Sequence, residues 1–419
     1  MNRNPESTAG ESHRPLRILF HIDDFGRGGT ETALIAWLTR LDRQLFEPAL
    51  AVTYPTDALA FWRAHSIPSD VPIHILASSP WMSELHQRER HRKLHKGEKI
   101  AHKLSTHTVI RPLVARRFLR LARHFDLVCD FDFTFRHIAG RGPVPWFGVS
   151  HYSFSARLAG KDDAHVARRV RQFSRYAAVA VLAPAMRREA EQLFAARKVR
   201  VVELPNVIDV EAIRKRAEAA IDRPAPSFIV SVARLDAGQK DHKTLLHAYA
   251  QLRGRCKSVP DLVLIGEGPD QAMLEREAAE LGLRDSVHFL GFCSNPFPYV
   301  RQAEMLVLSS RYEGCPMVLA EAMALGTPVV STDCPTGPRD LLNGGKAGML
   351  VPVGDVGAMA EAMERLLTDP AVRADVRANA LRHVESLAPA SANQRMLALA
   401  RELGVRPAAR MPAEAAQIQ

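Results

Sequence analysis

Short apolar runs alternate with amphipathic stretches along most of this chain. Residues 16–22 read as a buried strand, and after the glycine-rich loop 26–30 the residues Ala33, Leu34, Trp37, Leu38 and Leu41 recur at helical spacing. Further apolar runs fall at 49–54, 71–76, 127–131, 146–150, 179–182 and 199–204, and Val114, Phe118, Leu121 and Phe125 form a helical stripe ahead of residue 127. The pattern restarts at Phe228, with strands expected at 228–232, 262–265, 287–290, 305–308, 329–331 and 349–351. Apolar strands separated by helices predict parallel sheets covered on both faces. The halves meet at 205–209, and the proline-containing stretch 223–226 leads into the second sheet. Two doubly wound domains that face each other place a cleft at the carboxyl ends of both sheets, where ligands of such folds bind.

Composition adds limits. At 419 residues, with 47% apolar and 24% charged, the chain is an ordinary globular one with room for two cores. No apolar run approaches the ~20 residues a membrane-spanning helix needs. The polar stretch 1–14 lacks the apolar core of a signal peptide, and it and 405–419 are expected to be disordered. Five cysteines show neither an even disulfide framework nor metal-ligand spacing, which fits a reducing cytoplasm. The net charge of +10 is uneven: residues 1–208 hold 32 Lys and Arg against 20 Asp and Glu, whereas the rest hold 24 against 26. Twelve basic residues crowd Arg88 to Arg123, opposed only by Glu89 and Glu98. Such a surface binds anionic lipid, nucleic acid or an acidic substrate, or is simply a solvated face. Without interleaved aromatics or a recognition motif, nucleic acid is disfavoured.

The densest chemistry lies in 310–330. Glu313 and Glu321 stand eight positions apart, between a strand at 306–308 and another at 328–330. Pro316 suits the first turn of the intervening helix. Unpaired amides and the macrodipole make a helix N-terminus an anion site. One carboxylate on the approach loop, Glu313, and one a turn into the helix, Glu321, would then flank the donor-facing segment Gly314, Cys315, Pro316, Met317 and Val318, whose free N–H groups lie near Cys315 to Val318. That arrangement suits a sugar diphosphate: Glu313 for sugar hydroxyls, amides for phosphate, Glu321 for a ribose diol. The bland alternative is a loop carboxylate beside a solvated helix carboxylate. Arg234 and Lys240 leave the strand 228–232 together and can both reach a diphosphate, or they are ordinary surface charges.

The context Glu-Gly, Glu-Ala-Met-Ala and Gly-Thr-Pro-Val-Val around Glu313 and Glu321 resembles the paired-glutamate motif of the family 4 retaining glycosyltransferases. The resemblance is strong from Phe228 to about Val351 and covers the first half only in its glycine loop and general pattern. It implies the GT-B fold: two Rossmann-like doubly wound parallel-sheet domains facing across a cleft. In the family, a matching Arg and Lys neutralise the departing diphosphate, so no metal or other cofactor is expected; here Arg234 and Lys240 are six apart where five is more usual. Gly28 and Gly29 match the loop that faces the donor phosphates, although a tight strand-to-helix turn needs the same glycines. His151 ends a strand where the family places a histidine on the transferred sugar. Asn206 matches a Pro-Asn-Gly-Val-Asp hinge in which the glycine is missing here.

Two motifs are set aside. Asp130 and Asp132 mimic a metal-binding Asp-x-Asp but are expected to end a strand, with Asp132 on the acceptor rim. Arg339 follows a strand end, where packing of its turn is at least as good a reading as reach into the cleft.

The expected organisation is a first Rossmann-like domain at 15–205 on the acceptor side, a nucleotide-sugar domain at 206–388, and a helix at 389–404 packing back on the first domain. The implied function is transfer of a hexose, from a UDP-sugar rather than a GDP-sugar, to a glycan or lipid-linked acceptor in lipopolysaccharide or other cell-surface polysaccharide synthesis. Catalytic roles fall to Glu313, His151, Arg234 and Lys240, in a cytoplasmic protein touching the inner face of an anionic membrane. A GT-B sugar phosphorylase and a non-catalytic polyanion-binding protein on the same fold remain the rivals.

Overall fold

The computed structural model describes residues 14–26, 28–91, 95–387 and 389–405. The expected disorder at 1–14 and 405–419, the loop residue Arg27 and part of the basic stretch therefore lie largely outside the described residues.

Seven strands form the first sheet: β1 (Leu16–Ile22), β2 (Phe46–Val52), β3 (Ile73–Ile75), β4 (Leu127–Asp130), β5 (Trp146–Ser150), β6 (Ala178–Val181) and β7 (Val201–Glu203). Six form the second: β8 (Phe228–Val232), β9 (Asp261–Ile265), β10 (Val287–Phe289), β11 (Leu306–Leu308), β12 (Val329–Thr332) and β13 (Met349–Val351). All pairings are parallel, in the orders β3-β2-β1-β4-β5-β6-β7 and β10-β9-β8-β11-β12-β13. This is the GT-B architecture.

Strand periodicity builds the second domain's two cores. Phe228 and Val230 pack on one face with Val263, Leu306 and Leu308, while Ile229 packs on the other with Leu262, Leu264 and Val307. β2 starts at Phe46, three residues before its apolar run, because Glu47 and Pro48 interrupt a pattern that buried Phe46 had already begun. Helices at Pro80–His91 and Lys96–Ser105 and a π turn at Thr106–Ile110 occupy a polar stretch that gave no periodic signal.

The helix Pro389–Glu402 returns to the first domain, burying Ala392, Met396, Leu399 and Ala400 in that domain's core. Asn393 ties it there by accepting from the Asp42 amide at 2.9 Å and donating to the Arg40 carbonyl at 2.9 Å. Arg40 also pairs with Asp209, at the entry to the second domain.

Strand order reverses between β1 and β4 in one sheet and between β8 and β11 in the other. Loops that leave the strand ends at such a switch point part to opposite faces of the sheet, leaving a crevice. Each domain therefore offers one crevice.

Candidate active site

In the second domain the loops after β8 and β11 carry Lys240 and Glu313, and the fold brings them into contact. Lys240 Nζ lies 2.5 Å from Glu313 Oε1, and Ser310 Oγ donates to the same oxygen at 2.6 Å. Glu313 is only 6% exposed, so this charged pair is shielded from water and its hydrogen bonds are correspondingly strong. The two loops are laced together: Arg311 N donates to Gln239 O at 2.8 Å, and Ser309 Oγ to Lys240 O at 2.8 Å. Thr336, after β12, fixes the glutamate backbone by donating to Glu313 O at 2.6 Å. Arg234 does not join them. It is exposed at the loop rim, with Nη2 on Asp236 Oδ2 at 2.7 Å and Gln239 Oε1 at 3.4 Å.

Pro316 is the N-cap of the helix Met317–Leu325 rather than part of its first turn, because its carbonyl already accepts from Leu319 N at 3.0 Å. Helix amides at Met317 and Val318 thus follow directly on the Glu313 loop. Glu321 sits in the second turn, keeping part of its surface while its carboxyl is crowded by protein. Burial pushes that carboxyl up to about 7, with the charge of Arg216 pulling the other way.

The first domain closes the site at Gly314. A Cβ on Gly314 would lie 1.8 Å from His151 O, and Gly314 forms an antiparallel bridge with Tyr152. On its other side a Cβ on Gly337, at φ +94°, would lie 2.4 Å from Gly314 O. Only bare backbone fits between these neighbours. Cys315, next in sequence, packs against both domain cores and accepts from the Asn206 amide; burial pushes its thiol up to about 12. It behaves as interdomain packing. His151 rests against the Phe131 ring at 4.4 Å, and its buried Nε2 has no protein hydrogen-bond partner. Burial, then the charge of Arg157, pushes His151 down to about 3, so the ring is neutral.

Gly28 caps the helix Gly29–Arg40, and its amide and that of Gly26 are engaged by Glu31, at 3.1 and 2.8 Å. A Cβ on Gly29 would meet nothing within 4 Å, so its surroundings are open. Asp130 is a buried fold residue. It accepts from Phe135 N at 2.8 Å and Tyr176 OH at 2.5 Å, and lies 3.4 Å from His21 Nδ1. Burial pushes its carboxyl up, but these partners outweigh burial and hold it below the ordinary value. Asp132, at φ 140°, pairs with Arg157 at 2.5 Å, whose guanidinium lies over Tyr152. Arg339 pairs with Asp333, while neighbouring Asp340 accepts from Ala185 N at 3.2 Å across the domain boundary. Among the described residues no three His, Cys, Asp or Glu side chains converge as metal ligands.

The first domain's crevice holds a cavity of about 200 Å³, lined among others by Asp23, Tyr54, His86, Arg111, Thr134 and His137. Tyr54 stacks on His86 at 4.1 Å, and His86 Nε2 lies 3.0 Å from Asp24. Burial and then Asp23 push Tyr54 up to about 12, while burial and then Arg111 push His137 down to about 4. The sequence reading missed this cavity, as it missed Ser310, Thr336 and Arg216. Asp23, Tyr54 and Thr134 do sit just past strand ends, the one signal that was available.

Residues 214–383 match the family described as "Glycosyl transferases group 1". The chain is 37% identical over 170 residues to the N-acetylgalactosamine-N,N'-diacetylbacillosaminyl-diphospho-undecaprenol 4-alpha-N-acetylgalactosaminyltransferase of Campylobacter jejuni, covering 41% of this chain and 45% of that one. It is 34% identical over 152 residues to the lipopolysaccharide 1,6-galactosyltransferase of Salmonella typhimurium, covering 35% and 41%. In each case the match spans less than half the length of the relative. The structure of Anabaena Alr3699/HepE in complex with UDP-glucose superposes with a TM-score of 0.70 at 18% identity, covering 92% of this chain and 100% of that one. The second domain therefore carries the group 1 glycosyl transferase sequence pattern, within a chain whose two domains together form the GT-B fold.

Proposed function

We propose that this chain is a retaining glycosyltransferase of family 4 type, moving a hexose from a nucleotide diphosphate sugar, with UDP favoured, to a hydroxyl of a glycan or lipid-linked acceptor. The observation that carries the reading is the Lys240–Glu313 pair at the β8/β11 switch point, followed at once by the N-terminus of Met317–Leu325. A sugar hydroxyl entering there replaces Lys240 as donor to Glu313, and the freed ammonium turns to the diphosphate. Arg234, released from Asp236, joins it, and the amides of Met317 and Val318 complete an anion cradle. Charge is stabilised where the leaving group develops it, which is the largest kind of catalytic contribution. No metal is assigned a part.

Glu321 accepts from the ribose diol in this reading, and neutral His151 offers its unpaired Nε2 to the transferred sugar from the opposite domain. Attack comes from the face the diphosphate leaves, and a diphosphate oxygen takes the acceptor proton. Gly28 and Gly29 bring the first domain's loop to the donor phosphates, with Glu31 holding the loop in shape. Cell-surface polysaccharide or lipopolysaccharide synthesis is supported by the named activities of the relatives, and a place at the membrane by the undecaprenol-linked acceptor that one of those names carries.

The test is titration of purified protein with UDP, GDP and ADP beside Glu321→Ala. Saturable binding of UDP, weakened at least tenfold in the variant, is expected from loss of charge-assisted hydrogen bonds. No binding of any of the three nucleotides would overturn the donor site.

A further inference from the structure

The helical rod from Lys96 to Ala122 buries Val114, Ala115 and Phe118 on one side and leaves an aliphatic row on another. Ile100 and Leu104 are one α turn apart, 68% and 62% exposed. The π turn Thr106–Ile110 closes through an i to i+5 bond, Arg111 N to Thr106 O, so the next residue in line is five positions on. That residue is Val109, followed one α turn later by Leu113, 44% and 36% exposed. Trp81, on the preceding helix, is 55% exposed. These five are the majority of the eight large apolar side chains exposed among the described residues. Isolated exposed apolar residues need no explanation, but a row of them does.

From Lys99 to Arg123 the charges are of one sign. Lys99, Lys103, Arg111, Arg116 and Arg120 are all exposed, and no acidic residue occurs between Glu98 and Asp126. Lys99 and Lys103 line an open depression with His102, Thr106 and His107. A second copy of the chain would set this positive face against itself, which disfavours self-association. The row on the rod is aliphatic and Trp81 is a single ring beside it, which does not make a stacking platform for successive bases. Apolar side chains flanked by lysine and arginine on a helical surface match the boundary between headgroups and acyl chains of an anionic bilayer.

We propose that this face docks the protein on an anionic lipid bilayer, with Ile100, Leu104, Val109 and Leu113 entering the acyl boundary and Lys99 and Lys103 facing lipid phosphates. The proposal names the surface behind the membrane placement in the glycosyltransferase reading, but it stands on the row and its charges and does not require that reading. It also orients the molecule: His102 and Thr106 line both the basic depression and the first-domain cavity, so docking sets that cavity beside the headgroup plane. The Thr106 hydroxyl there is buried without a protein partner.

The experiment is co-sedimentation of the full chain with vesicles of phosphatidylcholine alone and with a third phosphatidylglycerol. Wild type is expected to partition onto the anionic vesicles only. Ile100→Ser/Leu104→Ser removes the apolar row without adding charge and is expected to weaken partitioning about tenfold or more. Lys99→Gln/Lys103→Gln is expected to weaken it about tenfold at low salt and less as salt rises. Unchanged melting of both variants establishes that the fold is intact. No wild-type binding, or binding indifferent to Ile100→Ser/Leu104→Ser, overturns the proposal, as does loss of a dimer in sedimentation velocity without any vesicle binding. UDP titration of the same preparations keeps the outcome separate from that of the donor site.

Discussion

The two crevices of this molecule are built on the same plan and filled in opposite ways. Each lies where strand order reverses, yet the second domain's crevice is laced by hydrogen bonds between two neighbouring loops, while the first domain's holds a cavity among residues from three strand ends, three helices and a π turn. One is a preset charged pair close to Ser310 and Thr336; the other is lined by histidines, a tyrosine and an arginine around open space. A site for a chemically constant ligand part can be written in two loops braced against each other. A site for a variable part is assembled from scattered positions, each free to change alone.

That contrast can be broken at its strongest point. Glu313→Gln keeps the size of the side chain and loses the charge that holds Lys240, so transfer is expected to fall about 10²–10³-fold with UDP affinity and melting nearly unchanged. Undiminished turnover would remove Glu313 from the site. Gly314→Ala forces a Cβ into the His151 carbonyl and separates the domains, and about a hundredfold loss of transfer is expected from a displacement of that order. Full activity in a correctly folded Gly314→Ala protein would mean the domains need not meet there.

Asp130→Asn tests the first domain as a scaffold. Weakening the hydrogen bonds from Phe135 and Tyr176 to a buried carboxylate is expected to cost about 2–3 kcal/mol in denaturant unfolding, with donor binding retained. Lost nucleotide binding in a stable variant would instead put Asp130 in the chemistry.

The smallest effect is a pH dependence. The Glu321 carboxyl is raised from 4.5 to about 7, so the folded state favours its protonated form. Its contribution to stability is present in full below about pH 4.5 and is lost as pH rises through about 7. In the proposed reading a ribose diol donates to the ionised form, so UDP affinity relative to Glu321→Gln is expected to rise about tenfold per pH unit below that crossing. A flat ratio between pH 5.5 and 8 would detach Glu321 from the ribose.

Legibility followed the same division. All thirteen strands were readable, because buried parallel strands are continuous apolar runs that stand out against amphipathic helices. Glu313 and Lys240 were readable as candidates because local sequence context surrounds each of them. Their direct contact was not, since it depends on loops 73 residues apart. Glu31 as a brace for Gly26 and Gly28 was hidden because a glycine loop reads alike whether its amides face a ligand or the chain itself. The rod's first half, before Arg111, escaped because its apolar row faces outward and a π turn shifts the period.

The glycine at 314 has one more consequence. Gly314, next to Glu313, is also the point where one domain leans on the other, so in the proposed reading grip on the sugar and closure are a single mechanical event. In that reading a donor is held correctly only while the halves are shut, and parting them to release the spent nucleotide would draw Glu313 away from His151 in the same stroke. Water entering an opened molecule would then meet a dismantled site.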